Sequence, residues 1–325
     1  MSFSFASVFS DHCVLQRNKN ITIFGYAEDG KAVKVQLLAK DGSLLCKNTG
    51  RARGSRWEVQ LAPQTAQTGC QLTLESAQES AGGEAEKITL TDIAIGEVWL
   101  AGGQSNMEFE LQNCTEGPEE LADSTGEGGA KNVRFYYTNK IGWIDQHFYE
   151  AEKATCWQTW ESPARGSWSA VGFFFAKKLA AELGVTVGLI GCNWGGTSAS
   201  AWMSREYLEQ DSRLRPYVED YDKAVKGKSR KKMIAEYDEY AEYQEGWEKR
   251  VAACYAEKPD IEWPDLLAEC GENRYPGPMG IKNPMRPCGL HETMVSRIAP
   301  YTLRGVLWYQ GESDDHRPQT YYALM

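Results

Sequence analysis

The first quarter of the chain reads as short runs of apolar and β-branched residues broken by turn formers. Ile21–Tyr26, Val33–Ala39, Trp57–Leu61, Gln71–Glu75 and Lys87–Leu90 each have the length and composition of a strand. Asp29-Gly30 and Asp41-Gly42 supply turns, the second in a hairpin position. The pattern predicts a small all-β module over residues 1–91, with Ser76 to Glu86, rich in Gly, Ala, Ser and Glu, as a loop at its edge. After Thr91 the pattern changes. Ile93, Ala94, Ile95, Val98, Trp99 and Leu100 are apolar on both faces, as in a parallel strand covered on both sides. Val133–Tyr137, Val185–Ile190 and Leu303–Trp308 repeat this. A helix precedes the third run: Ser169 is its N-cap, Val171, Phe174, Phe175 and Leu179 recur at helical spacing, and Gly184 ends it. Strands alternating with helices predict a three-layer α/β domain over residues 92–325. A charged, mostly helical insertion interrupts it at about 204–275, with a break at Lys226 to Ser229. The Pro- and Gly-rich passage Tyr275 to Gly289 then leads back to the core.

Length and composition agree with two domains: 325 residues, 42% hydrophobic and 25% charged, can bury a sizeable interior. The formal charge of -10 argues against nucleic acid or an anionic membrane as partner, since both select basic surfaces. The acidic, Tyr-rich stretch Glu236 to Glu245 reads as a solvated helix face. Nine cysteines stand singly, with no C-x-x-C pair, so no metal framework is visible and free thiols are expected. Met1 to Gln16 has neither a basic start nor a continuous apolar run, and no stretch reaches transmembrane length. The reading is a cytoplasmic protein, with a secreted mature form as the alternative. No P-loop or G-x-G-x-x-G fingerprint occurs, which weighs against a nucleotide binder, and no cofactor or metal is expected.

The candidate chemistry lies at three strand ends. Gly96-Glu-Val-Trp-Leu-Ala-Gly-Gly-Gln-Ser-Asn-Met107 carries a buried strand into two glycines and then Gln104, Ser105 and Asn106. Ligands of open α/β sheets bind at the carboxyl ends of strands, and a helix starting after Ser105 would bring backbone N–H groups beside its hydroxyl. The simpler alternative is that Ser105 only caps that helix. The segment lacks the second glycine of G-x-S-x-G, so a nucleophile elbow of the α/β-hydrolase kind is not indicated. Gly191-Cys-Asn-Trp-Gly-Gly-Thr197 and Trp308-Tyr-Gln-Gly-Glu-Ser-Asp314 also follow predicted strands. Gly195 or Gly196 would let a backbone N–H approach a ligand closely, and Gln310 could present its amide to the same atom.

Taken together, Gly-Gln-Ser-Asn-Met, Asn-Trp-Gly-Gly-Thr and Trp-Tyr-Gln-Gly-Glu-Ser resemble the motif set of the sialate O-acetylesterase family. Phe9-Ser-Asp-His-Cys-Val-Leu-Gln16 and Asn283-Pro-Met-Arg-Pro-Cys-Gly-Leu290 fit it too, so the resemblance spans nearly the whole chain. It implies an SGNH hydrolase fold, flavodoxin-like in its layers, with an N-terminal β-sandwich. It further implies a serine esterase that removes O-acetyl groups from carbohydrates, sialic acid first and acetylated xylan or another glycan second. Ser105 would be the nucleophile, with its own N–H, a glycine N–H from Gly195 or Gly196 and the Gln310 amide as oxyanion hole. Gln104, Asn106, Glu312, His291, His316 and Arg286 would support the site or touch substrate. A carbohydrate-binding protein that keeps the fold without catalysis is the alternative of a different class.

A serine nucleophile needs a base, usually a histidine oriented by a carboxylate. Of the four histidines, His12 lies in the opening β-module, His147 among aromatic residues and His291 where the family pattern carries an aromatic residue. His316, in Ser313-Asp-Asp-His-Arg-Pro318, follows carboxylates, but in the family the base resembles an Asp-x-x-His motif after a further strand. The expectation is that this strand, and the base with it, lie beyond Met325, so that the chain alone is weakly active or inactive. Three adjacent residues rarely converge on one ion, so Asp314, Asp315 and His316 are not read as a metal site.

Overall fold

The computed structural model describes residues 3–76 and 86–325. Its strands are β1 (Ser4–Phe5), β2 (Val14–Gln16), β3 (Ile21–Tyr26), β4 (Ala32–Leu38), β5 (Leu44–Arg51), β6 (Arg56–Leu61), β7 (Gln67–Ser76), β8 (Lys87–Gly103), β9 (Val133–Tyr137), β10 (Val187–Asn193) and β11 (Gly305–Tyr309). Its helices are α1 (Ser105–Glu108), α2 (Gly117–Ala122), α3 (Gln146–Ala154), α4 (Ala170–Leu183), α5 (Arg205–Gln210), α6 (Arg215–Val225), α7 (Arg230–Glu257), α8 (Trp263–Cys270), α9 (Ser296–Ile298) and α10 (Pro318–Leu324). The protein is of the α/β class, a mixed sheet with helices. Most of the predicted loop at Ser76 to Glu86 lies outside the described residues.

Two compact units divide the chain. One comprises residues 1–140, 144–196 and 293–313, and the other residues 141–143, 197–292 and 314–325. In the first, β1, β3 and β6 form an antiparallel sheet, and a larger sheet has the order β5-β4-β7-β8-β10-β9, with β2 and β11 also paired to β8. The 17-residue β8 does two jobs. Its first half is antiparallel to β7, and its second half lies parallel to β10 on one side and β11 on the other. It therefore runs unbroken through position 91, where the sequence pattern changes: Ile93 to Val98 are buried on both faces, as the apolar run predicted.

The β-rich part closes on Phe5, Phe9, Phe24 and Trp57, whose rings meet edge-on or tilted. Asp41-Gly42 makes a hairpin turn, as read, but between β4 and β5, with Gly42 at φ +84°. Sequence reading missed β5, because most of its side chains are exposed and its LLCKNTGR run has little apolar alternation. The helix at 170–183 begins and ends as read: Ser169 Oγ accepts the Gly172 N–H at 3.1 Å, and Gly184 takes the left-handed conformation. Its buried stripe is shifted from the expected one. Phe173, Ala176 and Ala180 face the core with Trp160 and Trp168, whereas Val171 is exposed; the packing partner, not apolarity alone, selected the face.

The second unit contains α5 to α8, with the chain break between α6 and α7 falling at 226–229 as predicted, and α10. Ala199, Leu208, Leu214, Tyr217, Val218, Cys288 and Leu324 form one of its cores. Trp247, Cys254, Leu266 and Cys270 form another.

Candidate active site

The register of the parallel strands fixes where their exits lie. Gly103 is the partner of Asn193 in β10 and of Tyr309 in β11, so three neighbouring strands end at one level. Backbone bonds continue the pairing past the strand ends: Gln104 N–H donates to the Tyr309 carbonyl at 3.0 Å, and Trp194 N–H to the Gly103 carbonyl at 3.0 Å. The segments carrying Ser105, Gly195 and Gln310 thus leave the sheet at the same edge, as expected for a ligand site on a parallel sheet. Gly103 makes the approach possible. Its φ is +137°, and a Cβ there would lie 2.1 Å from the Tyr309 carbonyl oxygen.

Ser105 is the first residue of α1 and is exposed. The N-cap of α1 is Gln104, and no side chain caps the helix, so the capping alternative for Ser105 does not describe this turn. Among the described residues, no hydrogen bond is made by the Ser105 hydroxyl. The glycine loop is close beside it: a Cβ built on Gly195 would stand 3.6 Å from Ser105 Cβ. Gln310 is half-buried at the end of β11.

Gln104, buried directly before the serine, clasps the third loop. Its Oε1 accepts the N–H of Gly311 at 3.2 Å and of Ser313 at 3.3 Å, and its Nε2 donates to Ser313 Oγ at 3.3 Å. Asn106 and Glu312 are exposed.

Two residues that sequence reading did not single out stand next to the serine. Glu108 accepts the Gly195 N–H on Oε2 and the Lys140 ammonium on Oε1. Lys140 also lies 5.1 Å from the centroid of the Tyr137 ring, within cation–π range. Glu108 was legible in principle, because residues three apart share a helix face and it follows Ser105 by three. Lys140 had no sequence signal. Cys192, in the same strand end, is no rival nucleophile: burial pushes its thiol up to about 12. Burial also raises the Tyr137 hydroxyl well above its ordinary value.

Arg286, His291 and His316 belong to the second unit. Arg286 is buried in the second unit, donating to the Ile281 carbonyl at 3.0 Å and to Glu292 at 2.5 Å. Its guanidinium is engaged within its own unit. His291 is half-buried there, and desolvation lowers its pKa. His316 and Asp315 are exposed, whereas Asp314 is buried and accepts from Ser198 Oγ at 2.5 Å and the Ala199 N–H at 2.8 Å. Among the described residues no three His, Cys, Asp or Glu side chains gather where they could hold a metal ion. His12 Nδ1 lies 2.8 Å from Asp92 Oδ2, the histidine–carboxylate pairing that a serine base requires. Asp92 stands 11 residues before Gly103 in β8, however, roughly 35 Å along an extended strand from the serine end.

The fold is that of a carbohydrate acetylesterase from Xanthomonas citri, with a TM-score of 0.62 and 22% identity over 99% of this chain and 54% of that one. At the level of sequence, the mouse sialate O-acetylesterase is 25% identical over 342 residues, covering 100% of this chain and 54% of that protein. The rat protein of the same name is 23% identical (100% and 55%), and the human one 26% (97% and 49%). The chain spans about half the length of the curated relatives it matches. No family model matches. The chain is similar over its whole length to proteins named sialate O-acetylesterase.

Proposed function

We propose that this chain carries the nucleophile of a serine esterase that removes O-acetyl groups from carbohydrates, O-acetylated sialic acid first among them. The observation that carries the reading is an exposed Ser105 at the carboxyl edge of a parallel sheet, with the Gly195 and Gln310 segments leaving at the same level. Relatives named sialate O-acetylesterase over the full length of the chain support the substrate class. In this reading the α/β part is an SGNH hydrolase fold and residues 1–91 are its β-sandwich.

The chemistry is acyl transfer. Ser105 Oγ attacks the acetyl carbonyl carbon while its proton passes to a base, and the Ser105 N–H, a glycine N–H of the 195–196 loop and the Gln310 amide hold the negative oxygen. Collapse breaks the ester C–O bond, the sugar hydroxyl leaves with the proton, and water releases acetate from the acetyl-enzyme. Because Ser105 has no hydrogen-bonded base among the described residues, residues 1–325 alone are expected to turn over 4-nitrophenyl acetate poorly.

That same observation favours a second reading, a carbohydrate-binding protein without catalysis. Reaction of the full gene product with a fluorophosphonate, read by mass spectrometry, separates the two. An adduct on Ser105, absent from Ser105→Ala, with acetate released from O-acetylated sialic acid, is the esterase outcome. No adduct and no acetate from sialic acid or acetylated xylan leaves the binding protein.

A further inference from the structure

We infer that Glu108 is a positioning residue that ties three strand exits together and, with Lys140 neutralising it, sets the glycine loop for catalysis. The inference rests on the esterase reading of Ser105. One carboxylate joins the helix after β8, the loop after β9 through Lys140, and the loop after β10 through the Gly195 N–H. Its place beside the nucleophile is close: a Cβ on Gly195 would meet Glu108 Oε2 at 3.0 Å and Ser105 Cβ at 3.6 Å, so carboxylate and serine border the same small space.

Two physical consequences follow. The bond from the Gly195 N–H to Glu108 ties the loop after β10 to the helix that Ser105 opens, and so holds the amides of that loop relative to Ser105. Accurate placement of such donors is worth more in the transition state than in the ground state, because the charge they meet is present only there. The second consequence concerns sign. A lone carboxylate beside a developing oxyanion would repel it, and at partial exposure that repulsion is not fully screened. The Lys140 ammonium on the other carboxylate oxygen offsets this charge. Lys140 therefore matters because Glu108 is there, a dependence that a purely structural contact would not show.

The test is kinetic and uses the full gene product, with acetate release from O-acetylated sialic acid and thermal midpoints measured for each variant. Glu108→Ala is expected to lower kcat by about a hundredfold, the scale of losing one oxyanion donor, with KM little changed. Glu108→Gln, which keeps an acceptor for the Gly195 N–H and has no charge to neutralise, is expected to retain most of kcat. Lys140→Ala should lower kcat about tenfold or more in the native background and leave it unchanged in the Glu108→Gln background, the signature of coupling. Equal losses from Lys140→Ala in both backgrounds, or native kcat in Glu108→Ala, would overturn the inference. Ser105→Ala is the separate control: turnover that survives it removes the esterase reading itself, whatever Glu108 does.

Discussion

Gln104 Oε1 accepts the N–H of Gly311 at 3.2 Å, so the residue directly before the candidate nucleophile fixes the loop directly after Gln310. The same oxygen takes the Ser313 N–H. Removing it leaves two backbone donors in a half-buried loop without their acceptor, at about 1–3 kcal/mol for an orphaned group. Gln104→Ala is expected to lower the thermal midpoint and to speed amide exchange at residues 311–313. Exchange measured by mass spectrometry at those amides checks this.

Gly103 tests how close the strand ends must come. Alanine there would require an unfavourable positive φ and would drive its Cβ into the Tyr309 carbonyl. The cost expected for Gly103→Ala is about 3 kcal/mol or more, read as a drop in the denaturation midpoint. A variant of native stability would mean that β8 and β11 are not paired to their ends.

In the second unit, Asp314 gives a prediction about folding rather than chemistry. Its buried carboxylate satisfies the Ser198 hydroxyl and the Ala199 N–H at the start of a short helical turn. Asp314→Ala leaves the Ala199 N–H without its acceptor and the Ser198 hydroxyl with only its Ser200 partners, and is expected to destabilise by about 1–3 kcal/mol, with Asp314→Asn intermediate. Chemical denaturation of the three proteins measures the order.

The His12–Asp92 pair predicts a pH effect. Partial burial pushes the Asp92 carboxyl up, but the hydrogen bond from His12 and the Arg134 guanidinium outweigh it and hold the group below the usual carboxylate range. A depressed carboxyl contributes stability above its unfolded pKa and loses it as pH falls through the folded value. The native protein should therefore lose thermal stability between about pH 5 and pH 3 more steeply than Asp92→Asn. Asparagine suits the position, because Asp92 sits at φ +51°, where asparagine is among the best tolerated residues. Parallel slopes for the two proteins would rule the contribution out.

Much of this architecture was legible in the chain. Ile21–Tyr26 and Val133–Tyr137 are strands over the ranges their apolar runs marked, and Ser169 and Gly184 bound their helix, because caps and periodicity act over a few residues. β5 escaped because an exposed edge carries little hydrophobic signal, and Val171 misled because a helix face is chosen by what packs on it.

By itself the sequence determined the class of fold and the place of Ser105, since both follow from local pattern and from motifs that stand next to strands. Only tertiary structure decided that Gly103, Asn193 and Tyr309 end at one level, that Glu108 and Lys140 stand at the glycine loop, and that Arg286 is paired with Glu292. The strand-end and glycine-loop relations join residues tens to hundreds of positions apart. They are set by strand register and by the balance of buried charge, and neither is written in any short stretch of chain.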